Sequence, residues 1–264
     1  ILLFVFCLLA STWADSSRYA SQFVLNTGKW VKIRVQEDGV YKLTASELKK
    51  MGFSDLSKVA IYGYGGWLLD EDFSSPYIDD LPEVAAWRSD DYLLFYGKGT
   101  RKWTYSFSLN RFEHTNNPYS NAGYYFVTEK ETAGRSMERV ASVEGAILQV
   151  TTFDDYILHE EELVSVNGSG RELYGESFES TLSRGFDYSI PGLTNDEGKI
   201  TLDFIARPKG SSGRVSMSID EEQLISSQIS TVSDSYLKAR SVNRTVNWNG
   251  EKNEKVKVKI QYNT

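Results

Sequence analysis

The sequence predicts a mainly β protein, in which an N-terminal α+β unit is followed by an incomplete jelly-roll-like β-sandwich. Aromatic residues are abundant and prolines are few, with 16 Tyr, 13 Phe, 6 Trp and 5 Pro among 264 residues. This composition favours strands over helices. Short runs in which apolar and polar residues alternate recur along the chain, and turns rich in Gly, Asn and Ser separate them, as in a two-sheet sandwich.

The first 14 residues resemble a truncated signal peptide. Residues 1–10 are apolar apart from Cys7, a run too short to span a bilayer, and Ala14 ends a small-residue cleavage pattern. A buried apolar N-terminal strand is the alternative. Because Cys7 is the only cysteine, the mature chain would contain no disulfide, no cysteine nucleophile and no thiolate ligand for zinc. Export without cysteine indicates a bacterial envelope protein.

The best-defined local unit begins with a predicted β-hairpin between residues 31 and 44. Apolar residues alternate with polar ones on both sides of a short loop. A three-residue loop that ends in Gly39, with this glycine as a left-handed bulge, would place Val35 opposite Tyr41. We therefore expect the two strands to pair with each other.

A short capped helix follows the second strand. Thr44 is the expected N-cap, and Glu47 stands three residues later, where a capping-box partner is needed. Leu43 and Leu48 are spaced for a hydrophobic staple, and Gly52 is placed to end the helix.

A glycine-rich stretch, Gly63-Tyr64-Gly65-Gly66, follows the predicted strand at residues 58–62. Such glycines can form a phosphate-binding loop, but no Gly-Lys-Ser/Thr follows and no helix opens there. The stretch is therefore interpreted as a sharp turn between strands.

Residues 70–91 form an acidic loop that could bind calcium. The spacing of its carboxylates lacks the pattern of an EF-hand loop, so a solvated loop is the simpler interpretation. Within it, Asp80-Leu81-Pro82-Glu83 has the composition of a rigid turn rather than of a catalytic carboxylate pair. No catalytic, cofactor-binding or metal-binding residue is assigned.

The chain divides into an N-terminal β-rich domain at residues 15–135 and a β-sandwich domain at residues 136–264. The charged stretch 129–139, which contains a glycine, is the expected linker. Alternation of apolar and polar residues continues to the last residues, so we expect further strands after Thr264. The remaining predicted strands lie at residues 91–97, 103–107, 123–128, 200–206, 215–219 and 255–262.

The two histidines, His114 and His159, are the only imidazoles available for catalysis or metal binding. His114 is interpreted as a loop histidine with hydrogen-bond partners, since no Ser, Cys or second His stands beside it. His159 lies in a predicted strand pair at residues 150–166. Three glutamates follow it, which suggests either a weak ion site or a solvated face.

Several short stretches, in their order and spacing, resemble one known family. They are residues 37–43, 61–63, 80–83, 94–99, 114, 117–120, 124–126, 169–172 and 174–176. Together they resemble the N-terminal region of the gingipain-like sortases of the bacterial type IX secretion system.

The formal net charge of the chain is −7 at pH 7. A nucleic-acid partner would require a basic surface, so this charge argues against one.

The resemblance implies a function that extends beyond the residues of this chain. Such sortases are cysteine peptidases that remove C-terminal signal domains from exported cargo at the outer-membrane surface and attach the cargo to anionic lipopolysaccharide. Their catalytic part lies C-terminal to the region that resembles this chain, and their partner is the outer-membrane barrel protein PorV. No cysteine follows Cys7, so no catalytic residue is carried over and this region alone is expected to be inactive.

The resemblance therefore predicts a non-catalytic scaffold and docking region at the cell surface of a Gram-negative bacterium. Aromatic residues such as Trp67, Tyr77 and Trp103 are candidates for the docking contacts, although core positions are the alternative for each. Two other functions remain open. One is a secreted carbohydrate-binding jelly roll without peptidase activity, and the other is a hydrolase that uses two carboxylates across a cleft.

Overall fold

The computed structural model of the chain describes residues 19–72, 74, 79–142, 144, 145, 147–168, 171–250 and 254–264, and the expected signal peptide lies outside them. Contacts divide the chain into two compact units, Ile1–Asp154 (unit 1) and Asp155–Thr264 (unit 2). Among the described residues, none between 138 and 163 belongs to a helix or strand. The boundary suggested by the sequence, between residues 135 and 136, precedes this stretch, and the division by contacts falls within it.

The described part of unit 1 consists of antiparallel strands, one short α-helix and a 3-10 turn at Val24–Asn26, in agreement with the predicted mainly β fold. One sheet has the strand order β1-β9-β3-β4, a second has the order β2-β6-β5, and β7 and β8 form a separate ribbon. Its elements are β1 (Val31–Val35), β2 (Gly39–Thr44), α1 (Ala45–Met51), β3 (Val59–Gly65), β4 (Glu83–Val84), β5 (Ala86–Arg88), β6 (Tyr92–Gly97), β7 (Arg101–Ser106), β8 (Arg111–Asn116) and β9 (Gly123–Glu129).

The core of unit 1 lies between its two larger sheets. Val35, Ile61 and Tyr125 come from the first sheet, and Leu93 and Phe95 come from the second; each is at most 1% exposed. The Phe95 and Tyr125 rings meet edge to face with centroids 5.4 Å apart. Burial of this apolar surface holds the two sheets together.

The predicted pairing of β1 with β2 is wrong. β1 pairs with β9, where Val35 lies opposite Gly123, and β2 pairs with β6, where Tyr41 lies opposite Phe95. The chain between β1 and β2 therefore crosses from one sheet to the other instead of closing a hairpin, and Gly39, predicted as a left-handed bulge, is instead the first residue of β2 without a positive φ. The alternation correctly identifies the buried faces, but burial of one face does not determine which strand lies alongside.

The predicted helix is confirmed, including both of its ends. The Thr44 side chain accepts a hydrogen bond from the backbone N–H of Glu47, whose carboxylate accepts one from the backbone N–H of Thr44 in return. Gly52 ends the helix in the left-handed conformation, with φ 85°. Within the described part of the chain, no helix has the length and apolar character needed to cross a membrane.

The ribbon of β7 and β8 carries aromatic side chains along one face. Trp103 lies opposite His114 with ring centroids 4.8 Å apart, and Tyr105 lies opposite Phe112 with centroids 5.2 Å apart. His114 is therefore a strand residue, and its interpretation as a loop histidine is wrong. Its ring packs in a cross-strand pair of the kind that stabilises antiparallel strands.

Unit 2 is a β-sandwich with its own core. A four-stranded sheet has the order β10-β15-β12-β13, and a two-stranded sheet consists of β11 and β14. Leu202 and Val242 of the smaller sheet pack with Val215, Met217 and Ile225 of the larger one. The strands are β10 (Ser183–Ser189), β11 (Glu197–Ala206), β12 (Gly213–Ile219), β13 (Glu222–Ile229), β14 (Arg240–Asn249) and β15 (Lys255–Asn263).

The strand pair predicted at residues 150–166 does not form. Along the described part of this stretch, the only ladder contact is an isolated bridge between Val164 and Tyr174. The apolar side chains there are largely exposed, for example Val150 at 76% and Phe153 at 83%. Strand-forming residues need a partner strand with which to share backbone hydrogen bonds, and the local pattern cannot supply one.

Candidate docking surface

The outer face of the sheet β2-β6-β5 carries apolar and aromatic side chains that the core of unit 1 does not use. Along β6, Leu93 and Phe95 point into the core, so Leu94 and its alternating neighbours lie on the opposite side. The pairing places Val40 opposite Tyr96 on this side. We define the aromatic face as Val40, Lys42, Trp87, Tyr92, Leu94 and Tyr96.

The aromatic face is open to solvent. Val40 is 68% exposed, Trp87 46% and Tyr96 45%. The Trp87 and Tyr92 ring centroids lie 5.6 Å apart, and the Lys42 ammonium lies 4.1 Å from the centroid of the Tyr92 ring. Large aromatic side chains exposed on a rigid sheet are typical of protein interfaces, where they supply contact area at low entropic cost.

Asp38 fixes the ends of the strands beneath this face. Its carboxylate accepts hydrogen bonds from the indole N–H of Trp67, at 3.0 and 3.1 Å, and from the backbone N–H of Gly99, at 2.7 Å. The Tyr125 hydroxyl accepts another from the backbone N–H of Lys98, at 2.9 Å. These hydrogen bonds join three loops of unit 1.

The glycine-rich stretch is a close-packed bend at the end of β3. The pairing of β3 with β9 shifts between Tyr62 and Gly65, as in a β-bulge, and Gly65 has a positive φ of 83°. A Cβ atom on Gly66 would lie 2.6 Å from the backbone nitrogen of Gly123. These glycines allow backbones to approach each other, so their role in this structure is packing.

The acidic segment at residues 70–91, predicted to be a loop, contains the short strands β4 and β5, and its carboxylates bind neighbouring backbone. The Asp79 carboxylate accepts a hydrogen bond from the backbone N–H of Ala20, at 2.8 Å, and the Asp80 carboxylate accepts one from the backbone N–H of Val24, at 2.9 Å. Within the described residues, no three His, Cys, Asp or Glu side chains are grouped so that they could hold a metal ion. Asp79 and Asp80 thus have structural partners.

Glu83 is the most heavily bonded carboxylate of the same segment. It accepts hydrogen bonds from the Lys130 ammonium, at 2.9 Å, and from the backbone N–H of Arg135, at 2.7 Å. Burial alone would raise the pKa of Glu83, but these hydrogen bonds outweigh it and hold the pKa below its usual range. The hydrogen bond with Glu83 in turn raises the pKa of Lys130. The pair ties the predicted linker to β4.

The side chains proposed for docking from the sequence lie elsewhere or outside the described residues. Trp67 is half-buried and bonded to Asp38, Trp103 packs within the ribbon, and Tyr77 is not among the described residues. Trp87 was missed because β5 is three residues long and shows no alternation by itself.

The comparisons with known proteins identify similarity to a solved structure. No family model and no curated protein matches the chain. The crystal structure of dimeric latent PorU from Porphyromonas gingivalis matches 94% of this chain at 35% sequence identity, with a TM-score of 0.80. The chain spans 24% of that PorU chain. The resemblance predicted from the sequence is thus confirmed: in fold and in sequence, the chain is similar to PorU, as a PorU-like N-terminal region.

Proposed function

We propose that the chain is the non-catalytic N-terminal part of a type IX secretion sortase at the outer-membrane surface, and that it holds and docks the peptidase part. The full-length protein would remove C-terminal signal domains from exported cargo and attach the cargo to anionic lipopolysaccharide. The 35% identity to PorU supports this assignment. The 264 residues contain no cysteine after Cys7, in keeping with a catalytic thiol that lies in another part of the protein.

The aromatic face is the observation that carries the docking role. Tryptophan and tyrosine dominate the binding energy of many interfaces when they lie at the centre of the buried surface. Trp87 and Tyr96 are each nearly half exposed, while the strands that carry them are held by the core beneath. We infer that the barrel protein PorV covers this face.

The test measures binding of the full-length gene product to purified PorV. The double substitution Trp87→Ser and Tyr96→Ser should weaken binding by about 30-fold or more, since truncation of a hot-spot residue costs about 2 kcal/mol or more. The matched control is Phe107→Ser, which removes an aromatic side chain that is 89% exposed and lies outside the aromatic face. Circular dichroism checks that each variant is folded.

Unchanged PorV binding by the folded double variant would show that the aromatic face is not the docking surface. Binding of soluble glycans that the double variant loses, in a gene product without peptidase activity, would instead establish the carbohydrate-binding alternative. In that case the exposed rings would stack on sugars rather than on a protein.

A further inference from the structure

Residues 155–163 run beside the four-stranded sheet of unit 2 without joining it as a strand. The side chain of His159 makes the contact instead. Its ring centroid lies 4.4 Å from that of Phe186 and 6.2 Å from that of Tyr188, both on β10. We call residues 155–163 the strap. The His159 imidazole therefore joins the strap to β10, while at the end of the strap the backbone N–H of Leu163 donates a hydrogen bond to the carbonyl oxygen of Tyr174, at 2.9 Å.

The same imidazole binds a carboxylate. The Nε2 atom of His159 lies 2.7 Å from an Oε1 atom of Glu176, and the two side chains are 34% and 22% exposed. The chain beside Glu176 is itself fixed to β10, because the Arg184 guanidinium donates two hydrogen bonds to the carbonyl oxygen of Ser177, at 3.1 and 2.7 Å. Glu176 is thus a fixed point to which the strap is attached.

Few other charges face this contact. Arg184 and the phenol of Tyr188 come from β10, and both interact electrostatically with Glu176. The strap itself carries three glutamates directly after His159, at residues 160–162. The lysines of neighbouring β15, Lys257 and Lys259, are exposed and alternate with the side chains that face the core, so they lie on the other side of the sheet.

The charge of the pair depends on pH on both sides. Burial alone would raise the pKa of Glu176, but the hydrogen bond from His159 and the charges of His159 and Arg184 outweigh it and lower the pKa from its ordinary value of 4.5. A carboxylate with a lowered pKa contributes stability that is present above its ordinary pKa and lost as the pH falls through the folded value. Imidazole side chains lose their positive charge between about pH 5 and 8.

We propose that His159 and Glu176 form a protonation-dependent latch that holds the strap over β10, and that opening the latch uncovers an apolar part of the sheet. Release exposes Phe186 and Tyr188, and with them Val258 on the paired strand β15, which is half-buried. The latch is strongest where the carboxylate is ionised and the imidazole is protonated. It weakens when the pH moves out of this window in either direction.

The experiment follows hydrogen exchange of the whole chain from about pH 3.5 to about pH 8. Each protection factor is corrected for the intrinsic exchange rate at its pH. Protection of the strap should pass through a maximum and fall by about twofold to fivefold on each side, as expected for a partly exposed ion pair. Protection of β12 and β13 should stay constant, which shows that unit 2 remains folded.

Two variants and one control separate a latch from simple packing. His159→Gln keeps a hydrogen-bond donor but cannot be charged, and Glu176→Gln cannot be ionised, so either change should flatten the pH profile of the strap. His114→Gln replaces the other histidine of the chain, in unit 1, and should leave the maximum in place. A flat profile in the wild type, or a maximum that persists in His159→Gln, would overturn the latch.

Discussion

At the scale of single residues, Asp38 shows how one carboxylate can determine the path of the chain. It lies in the short link between β1 and β2 and accepts hydrogen bonds from Trp67 and Gly99, which belong to two other loops. The sequence identifies Asp38 only as part of a turn. Its partners are separated from it by 29 and 61 residues, so no local pattern could name them.

Replacing Asp38 should therefore destabilise unit 1 more than replacing another surface aspartate. Asp38→Ala leaves the Trp67 and Gly99 N–H groups without their acceptor and should lower the free energy of unfolding by about 1–3 kcal/mol. Urea denaturation followed by tryptophan fluorescence measures the change. The control is Asp90→Ala, an exposed position expected to change stability by less than about 0.5 kcal/mol. Equal effects of the two substitutions would contradict the role of Asp38.

At the scale of elements, close approach of backbones decides how the strand ends of unit 1 meet. Gly66 lies against Gly123 at the start of β9 and against Gly99 after β6. The sequence predicts a sharp turn between strands at Gly63–Gly66, and this is wrong because β3 continues to Gly65 and the next strand among the described residues begins only at Glu83. The sequence does not show that strands from both sheets come so close at Gly66 that a side chain there would clash. This close approach exists only once the two sheets have packed together.

A methyl group at Gly66 should therefore be costly. Its Cβ would lie 2.6 Å from the nitrogen of Gly123 and 2.7 Å from the carbonyl oxygen of Gly99, and neither backbone can yield easily. Gly66→Ala should lower the free energy of unfolding by about 2 kcal/mol or more. Gly39→Ala is the matched control, since a Cβ there meets nothing within 4 Å. If thermal denaturation ranks Gly39→Ala as the more harmful change, the packing argument fails.

At the scale of the whole molecule, each unit has its own buried core, and the described residues between 138 and 163, which lie between the last strand of unit 1 and the first of unit 2, belong to no helix or strand. Backbone that lacks such structure is the preferred substrate of proteases. Between residues 138 and 163, Arg139 is the only lysine or arginine. It is exposed, whereas Arg135 is held by Glu83.

Limited trypsin digestion should therefore cut first after Arg139. Two fragments should accumulate, because the strands of each unit remain buried around their own core. Mass spectrometry of a time course identifies the first cut. In the Arg139→Gln variant, the same two fragments should be absent or much delayed. An early cut inside a strand of either unit, in the wild-type chain, would be incompatible with two separately packed cores.

The sequence by itself determined the features that depend on near neighbours in the chain. Alternation identified β1, β2, β11, β12 and β15 together with their buried faces, and capping residues identified both ends of α1, because side-chain direction and helix capping are local properties. Only the tertiary structure decided which strands pair, that His114 lies in a strand, and that Trp87 is exposed. These outcomes depend on residues far apart in the sequence, which compete for the same neighbours, and packing of the whole unit selects among them.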